Sequence, residues 1–167
     1  SANAFLALKI SYINQMADLC EKIGADVHDV AKGIGLDKRI GNKFLHPGPG
    51  YGGSCFPKDT IALVKTANQN NSDISIIDTV VKYNTKRKSK MANKILKKLG
   101  NDLTNKKVSI LGLSFKPETD DMRDSPSLDI IPILQKNGIT ISAYDPVAMN
   151  EAKKLLKNTE FSNDLRS

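Results

Sequence analysis

The chain has 167 residues, of which 40% are apolar, 26% charged and 5% aromatic. This length allows one ordinary domain or two small ones, and the apolar fraction is large enough for a buried core, so a chain disordered throughout is excluded. No apolar run approaches the roughly 18 residues that a membrane-spanning helix needs. The sequence therefore predicts no membrane partner.

Cysteine and histidine are scarce, with two of each. Two cysteines are too few for a disulfide framework, and we predict no metal site. We interpret Cys20 and Cys55 as reduced thiols, which is typical of a cytoplasmic protein.

The net charge of +7 is concentrated in one segment. Residues 61–107 carry eleven basic and three acidic side chains, whereas the segments on either side are nearly balanced. Such a segment can bind nucleic acid or another anionic surface. Tyr83 is its only aromatic residue, so it offers little for base stacking. We favour the solvated face of a long helix over a nucleic-acid site.

The first hundred residues have helical periodicity. Apolar residues recur every three or four positions up to Gly24, a good helix stop, and Asp26 is placed to cap the next helix. A loop rich in glycine and proline follows over 36–57. The predicted helices cover residues 1–24, 27 to 33 or 35, 57 or 59 to 69, and 74–99.

From about residue 105 the pattern alternates between strand and helix, which predicts a parallel α/β sheet. Two strands cannot bury both faces of such a sheet, and a third is expected only at Leu165-Arg166-Ser167, so we predict an incomplete unit. The predicted strands cover 107–112 and 139–144, and the predicted helices 127–136 and 147–158.

The predicted fold class is therefore an α+β chain in two parts. An all-α domain covers residues 1–100, and a truncated Rossmann-like α/β unit covers 105–167.

The most informative stretch is the loop from Pro47 to Asp59, with four glycines between positions 48 and 53. Glycines let the backbone approach a ligand and expose its N–H groups. Cys55 follows them at the predicted start of a helix, where the helix dipole favours the nucleophilic thiolate. Lys58 adds a cation, and Asp59 could cap the helix or take a proton.

We interpret Cys55 as a reactive cysteine, with a buried structural cysteine as the alternative. Cys20 lies on an apolar helical face and is assigned to the core.

The segment Gly50–Asp59 resembles the active-site loop of nucleotide-sugar dehydrogenases, the UDP-glucose/GDP-mannose dehydrogenase family. Three further segments resemble the family in the same order. They are the start of its central helix at 3–14, its substrate loop at 39–45 and the first turn of its C-terminal domain at 111–123. The resemblance covers nearly the whole chain.

The resemblance implies a helical central domain that forms a homodimer, followed by a C-terminal domain that binds the nucleotide sugar. The implied substrate is UDP-glucose or a related nucleotide sugar, and the implied cofactor is NAD. The implied reaction converts a sugar alcohol into a carboxylate by two hydride transfers, through a thiohemiacetal and a thioester on a cysteine.

The same resemblance assigns the nucleophile to Cys55, the handling of water and its proton to Asp59, and a sugar or water contact to Asn3. It assigns NAD contacts to Lys58 and Arg123. Residues implied to contact the substrate, among them an arginine that reaches the substrate of a partner subunit, are Asn3, Arg39, Phe44, Leu45, His46, Pro47, Gly48, Tyr51, Gly52, Phe115 and Lys116.

Two features of the family have no counterpart in this sequence. No predicted strand is followed by a G-x-G-x-x-G segment, and the family's catalytic lysine, four residues before Asn3, would precede Ser1. We therefore expect a fragment that does not oxidise UDP-glucose on its own. The alternatives are a non-catalytic helical dimerisation piece and, less favoured, a nucleic-acid-binding protein using the basic residues of 82–98.

Overall fold

The computed structural model describes residues 1–164. Within them, no helix is both long and apolar enough to cross a membrane. The elements in chain order are α1 (Ala2–Ile23), α2 (Val27–Gly35), α3 (Phe56–Gln69), α4 (Ser75–Leu99), β1 (Lys107–Leu111), α5 (Ser127–Lys136), β2 (Thr140–Tyr144), α6 (Met149–Leu155) and β3 (Thr159–Phe161).

The chain forms two compact units. The first contains residues 1–51 and 55–85, and the second contains residues 52–54 and those from Lys86 onward. This boundary falls within α4, whereas the domains predicted from the sequence divide after that helix. The domain assignment from the sequence stays a prediction.

The helix ends in the first unit follow from local chemistry. Gly24 ends α1 with φ +72°, a left-handed conformation in which glycine has no Cβ to clash, and its amide donates to the Cys20 carbonyl. The Asp26 carboxylate accepts the His28 amide at 2.8 Å and caps α2. Both predicted helix ends are confirmed.

The first unit is built around α1, which contacts α2 and α3. Its core joins Ala7 of α1, Val80 of α4 and Tyr51 of the loop between α2 and α3. The loop is thus part of the core and is anchored beside α1.

The second unit contains a parallel sheet in the order β1-β2-β3. Ile141, Ser142 and Ala143 of β2 are all buried, as expected for a central strand covered on both faces. The largest fully buried core side chains of this unit are Leu113, Ile131, Leu134 and Ile141.

The prediction of a sheet with only two strands before residue 165 is wrong. The third strand, β3, pairs with β2 through only three residues, with Ile141 opposite Thr159. Three residues are too few for an alternating pattern to identify a strand. Leu165-Arg166-Ser167, where the third strand was expected, lie outside the described residues.

Asp145 follows β2 and is 4% exposed. Its Oδ2 accepts the amides of Leu113 and Ser114 at 2.7 and 3.2 Å, and its Oδ1 accepts those of Val147 and Ala148 at 2.8 and 2.7 Å. Burial raises the pKa of this carboxyl, but the four backbone hydrogen bonds outweigh burial and lower the pKa below its ordinary value. The carboxylate thus ties the loop after β1 to the start of α6.

We expect Asp145→Asn to lower the free energy of unfolding by about 1–3 kcal/mol at pH 7, because the new NH₂ group faces two N–H donors. The folded-state pKa of Asp145 lies below the unfolded one, so its stabilising contribution is complete above the unfolded pKa. The contribution disappears as the pH falls through the folded value. Urea denaturation between pH 7 and pH 3 should show the gap between the two proteins closing in acid.

The matched control is Asp120→Asn, which changes an exposed carboxyl in the loop after β1. It should alter the free energy of unfolding by less than about 0.5 kcal/mol. Equal stability of Asp145→Asn and the parent at pH 7 would contradict the prediction.

Candidate active site

Cys55 lies at the N-terminus of α3, as predicted. It is the N-cap residue, and Phe56 and Pro57 form the first turn after it. The Cys55 side chain is exposed, whereas Cys20 is buried in α1. The exposure of Cys55 argues against the alternative of a buried structural cysteine.

The starts of α1 and α3 bring Asn3 and Asp59 together. The Asn3 Nδ2 donates to Asp59 Oδ2 at 2.6 Å, and Lys58 Nζ lies 3.7 Å from Asp59 Oδ1. The Asp59 amide donates to the Cys55 carbonyl at 2.9 Å, so the carboxylate is one helical turn from the cysteine. We call Asn3, Cys55, Lys58 and Asp59 the cysteine cluster. It combines a thiol, a carboxylate, an amide and a cation.

The predicted substrate loop contributes both core and surface residues. Leu45 is 3% exposed and Tyr51 is 7% exposed, so both residues belong to the buried part of the loop. Phe44 has φ +64°, and its ring lies 5.9 Å from that of Phe56. Such a conformation is uncommon outside glycine and clusters at functional sites. His46 is exposed, and Pro47 and Gly48 are partly buried.

The Arg39 side chain forms an ion pair with Asp37, two residues earlier in the chain. Its guanidinium makes a two-point ion pair with Asp37, with Nη2 at 2.6 Å from Oδ2 and Nε at 3.0 Å from Oδ1. This hydrogen bonding lowers the pKa of Asp37 and raises that of Arg39. The Arg39 side chain is 89% exposed, and its guanidinium contacts are with Asp37 rather than with the cysteine cluster.

Two buried asparagines that sequence reasoning did not select as site residues hold the backbone of this loop. Asn84 of α4 bonds the amide and the carbonyl of Tyr51 at 2.8 and 3.0 Å, and Asn14 of α1 accepts the Gly48 amide at 2.7 Å. Asn14 is 1% exposed and Asn84 is 7% exposed. A polar residue on the apolar face of a helix is the signal that could have found them.

The predicted residues Phe115 and Lys116 lie in the second unit, in the loop after β1. The Ser114 hydroxyl donates to the Lys116 carbonyl at 2.8 Å, and Lys116 Nζ lies 5.3 Å from the centre of the Phe115 ring. Ligands of open parallel sheets bind beyond the carboxyl ends of the strands. These two residues occupy that position relative to β1.

Arg123 lies further along the same loop and pairs with Asp121 through two hydrogen bonds of 2.9 and 2.7 Å. The side-chain hydrogen bond from Arg123, with its backbone hydrogen bond, lowers the pKa of Asp121 to about 2. Among residues 1–164, no group of three or more histidine, cysteine, aspartate or glutamate residues could hold a metal ion.

Gly52 and Gly53 pack closely within the second unit. The Gly53 amide donates to the Arg123 carbonyl at 2.8 Å. A Cβ on Gly52 would lie 2.3 Å from the Asp124 carbonyl oxygen, and a Cβ on Gly53 would lie 2.7 Å from the Phe115 ring. Only glycine fits here without moving the neighbouring chain.

Comparison with known proteins gives two family matches. The UDP-glucose/GDP-mannose dehydrogenase family, central domain, matches residues 1–86, which is about half of the chain. The chain belongs to the UDP-glucose/GDP-mannose dehydrogenase family. The UDP binding domain of the same family matches residues 109–167. The family resemblance predicted from the four motifs is confirmed.

Similar proteins include a UDP-glucose 6-dehydrogenase of Rhizobium meliloti (strain 1021), 53% identical over 98% of this chain and 38% of that protein. UDP-glucose 6-dehydrogenase TuaD of Bacillus subtilis (strain 168) is 48% identical over 99% of this chain and 36% of that protein. A solved UDP-glucose dehydrogenase of Pyrobaculum islandicum superposes with a TM-score of 0.93 at 36% identity, covering 98% of this chain and 38% of that chain. This chain thus spans less than two fifths of the length of these relatives.

The close approach at Gly52 leads to a prediction. We expect Gly52→Ala to lower the free energy of unfolding by about 1–3 kcal/mol, because the added methyl group overlaps the Asp124 carbonyl. Gly48→Ala is the matched control, since a Cβ there meets nothing within 4 Å. It should leave stability unchanged or raise it by about 0.4–1 kcal/mol. Thermal unfolding of both variants measures the difference, and equal melting temperatures would contradict it.

Proposed function

We propose that this chain is the central and UDP-binding part of a UDP-glucose 6-dehydrogenase that oxidises UDP-glucose to UDP-glucuronate. The observation that carries the proposal is the exposed Cys55 at the N-terminus of α3, one turn from an Asp59 that Asn3 holds by a hydrogen bond. The match to the family's UDP binding domain supports a nucleotide-sugar substrate.

The UDP-glucose 6-dehydrogenase family uses NAD as cofactor. In the proposal, NAD accepts a hydride in each of two oxidations. In the proposal, Lys58 and Arg123 are each assigned a contact with NAD, which the exposure (75% and 68%) and positive charge of their side chains support. Residues 48–53 have the spacing G-x-G-x-x-G, but they lie in an irregular loop and follow no strand. We therefore assign no strand–glycine–helix cradle to this segment.

In the proposal, the backbone of Phe44–Gly48 follows the nucleotide sugar, and Tyr51 and Gly52 continue this pocket. Lys116 offers its ammonium to the diphosphate or to a sugar oxygen, with Phe115 beside it. Arg39 is assigned to the substrate of a partner subunit, which is compatible with the high exposure of its side chain.

Cys55 carries the covalent chemistry of the proposal. Its thiolate adds to the aldehyde carbon and forms a C–S bond, while the carbonyl oxygen takes the negative charge. When the second hydride has left that carbon, the cysteine holds a thioester. Water attacks the thioester carbon, the C–S bond breaks, and the products are the sugar carboxylate and the Cys55 thiolate.

Asp59 and Asn3 handle the water in this scheme. The Asp59 carboxylate accepts a proton from the attacking water, which makes the oxygen a better nucleophile. Asn3 can donate and accept hydrogen bonds, so it can orient both the carboxylate and a sugar hydroxyl or the water. The 2.6 Å bond between Asn3 and Asp59 supports this pairing.

The catalytic role of Cys55 can be tested in a chimera in which this chain replaces the matching 164 residues of the Rhizobium meliloti relative. Cys55→Ser should reduce UDP-glucuronate formation to below about 1% of the parent chimera, because a serine hydroxyl does not ionise at neutral pH. GDP-mannose supplied in place of UDP-glucose tests the substrate class. Chromatographic measurement of the sugar acid gives the rates.

Cys20→Ala is the control, since Cys20 is buried in α1 away from this chemistry. It should keep most of the activity. In the chain alone, iodoacetamide at pH 7 should modify Cys55 before Cys20, as measured by peptide mass spectrometry. Undiminished acid formation by the Cys55→Ser chimera would remove Cys55 from the mechanism.

We further propose a homodimer formed through the two long helices, chiefly residues 1–24 and 74–99, and α1 carries the apolar stripe that defines this surface. Phe5, Tyr12 and Leu19 lie seven residues apart, so they form one stripe along the helix. They are 61%, 45% and 49% exposed, and Ile23 at the end of α1 is 67% exposed. An exposed apolar stripe of this length marks an interaction surface.

Sedimentation velocity at micromolar concentration should show a dimer. Phe5→Glu combined with Leu19→Glu should convert it to a monomer, because two charges would have to be buried in the interface. Ile61→Glu is the matched control, since Ile61 is 54% exposed on α3, and this variant should remain dimeric. A monomeric parent chain would contradict the proposal.

A further inference from the structure

Asn84 uses both ends of its side-chain amide on a single residue. Its Oδ1 accepts the Tyr51 amide at 2.8 Å, and its Nδ2 donates to the Tyr51 carbonyl at 3.0 Å. The side chain therefore pairs with the Tyr51 backbone much as a neighbouring strand would. Because Asn84 is 7% exposed, little water is available to replace these bonds, and breaking them would leave buried groups unpaired.

Tyr51, which Asn84 holds by its backbone, contacts the start of α3 through its side chain. Its ring packs edge-on against that of Phe56, with the centres 6.1 Å apart. Burial raises the pKa of the Tyr51 phenol, and a hydrogen bond with the Thr60 hydroxyl partly offsets that rise. Thr60 is fully buried, and its hydroxyl donates to the Phe56 carbonyl at 2.7 Å. Tyr51 is thus fixed through its backbone by α4 and through its ring by the first turn of α3.

The segment 48–51, which ends at Tyr51, has no regular secondary structure to stabilise it. Residues 48–51 form no helix or strand, and Gly50 has φ +128°. Glycine loses more conformational freedom on ordering than any other residue, so a glycine-rich segment needs outside contacts to hold one shape. Asn14 supplies one such contact at Gly48, and Asn84 supplies two at Tyr51.

We propose that Asn84 is a positioning residue of the active site: it fixes the peptide groups of Tyr51 and, through the Tyr51 ring, the first turn of α3 that carries Cys55. The catalytic role of Cys55 in this inference rests on the proposed function. The fixing of Tyr51 by Asn84 does not depend on it. Asn84 contacts no reacting atom in this scheme. Its effect on the thiol passes through Tyr51 and the N-terminus of α3.

The first test measures hydrogen exchange at the Tyr51 amide by NMR in the 167-residue chain. Asn84→Leu keeps the branched shape of the side chain and removes both bonds, so the Tyr51 amide should exchange roughly tenfold faster or more. Asn84→Asp keeps the acceptor, so it should leave this amide protected. Asn93→Leu and Asn93→Asp, at an exposed position of the same helix, should change nothing at Tyr51.

The second test measures the rate at which Cys55 reacts with 2,2′-dipyridyl disulfide, a reagent that works in acid as well as at neutral pH. Cys55 is already exposed, so loosening the loop adds little access. It does loosen the first turn of α3, whose unpaired N–H groups suit the negative charge that sulfur carries in the reaction. Asn84→Leu should therefore slow the reaction about fivefold relative to the parent at every pH.

Asn84→Asp gives a pH profile that a purely structural role would not produce. At pH 7 the carboxylate keeps the bond from the Tyr51 amide but cannot donate to the Tyr51 carbonyl and repels it, so the reaction should be slowed, although by less than in Asn84→Leu. Protonation near the usual aspartate pKa of about 3.9 restores a donor, and the rate should return to that of the parent in acid. Burial at position 84 disfavours the carboxylate, whereas Arg87 and Lys88 on the next turn of α4 favour it, so the midpoint of the recovery measures the pKa of the new carboxyl. The Tyr51 phenol stays protonated throughout this range.

Retained amide protection of α1 in the first unit and of β2 in the second shows that the variants are folded. Any one of three results would overturn the positioning role. They are an unchanged exchange rate of the Tyr51 amide in Asn84→Leu, an unchanged reaction rate of Cys55 in that variant, and a Cys55 reaction rate in Asn84→Asp that does not recover in acid. The amide measurement does not depend on cysteine chemistry. An active Cys55→Ser chimera would therefore contradict the proposed mechanism. The role of Asn84 in fixing Tyr51 would then be tested by hydrogen exchange at the Tyr51 amide.

Discussion

The loop between α2 and α3 must satisfy its backbone polar groups without a helix or strand of its own, and buried side-chain amides make this possible. Asn84 bonds both polar groups of Tyr51, and Asn14 bonds the Gly48 amide. A buried loop with unpaired amides and carbonyls would be strongly destabilised. The position of the exposed Cys55, which follows this loop, therefore depends on two asparagines in two different helices.

The second unit uses the same principle with a carboxylate. Asp145 accepts four backbone amides, two from the loop after β1 and two from the start of α6. Lys116 and Arg123, assigned to substrate and cofactor, lie in the loop after β1. In the dinucleotide-binding fold an acidic residue some 20 positions after the glycine motif bonds a ribose. Here the buried carboxylate at the end of β2 is already occupied by the protein's own backbone.

The cysteine cluster shows how two helix starts can build reactive chemistry. α1 contributes Asn3 and α3 contributes Cys55, Lys58 and Asp59, so four chemically different groups meet without any one element carrying them all. Helix starts suit this purpose because their unpaired N–H groups and positive dipole end favour anions such as a thiolate or an attacking hydroxide. This geometry is compatible with the catalytic roles that we propose for these residues.

The sequence by itself determined what depends on neighbours three or four residues apart. It predicted the helix stop at Gly24, the cap at Asp26, the span of α5 and the place of Cys55 at a helix start, because periodicity and capping are local. The four family motifs also identified the family and the candidate site. Only the tertiary structure decided the three-residue β3, the pairing of Asn3 with Asp59, and the roles of Asn84 and Asp145. Those side chains bond residues 56, 33 and 32 positions away, and no local pattern encodes a contact that exists only after distant helices and strands have packed together.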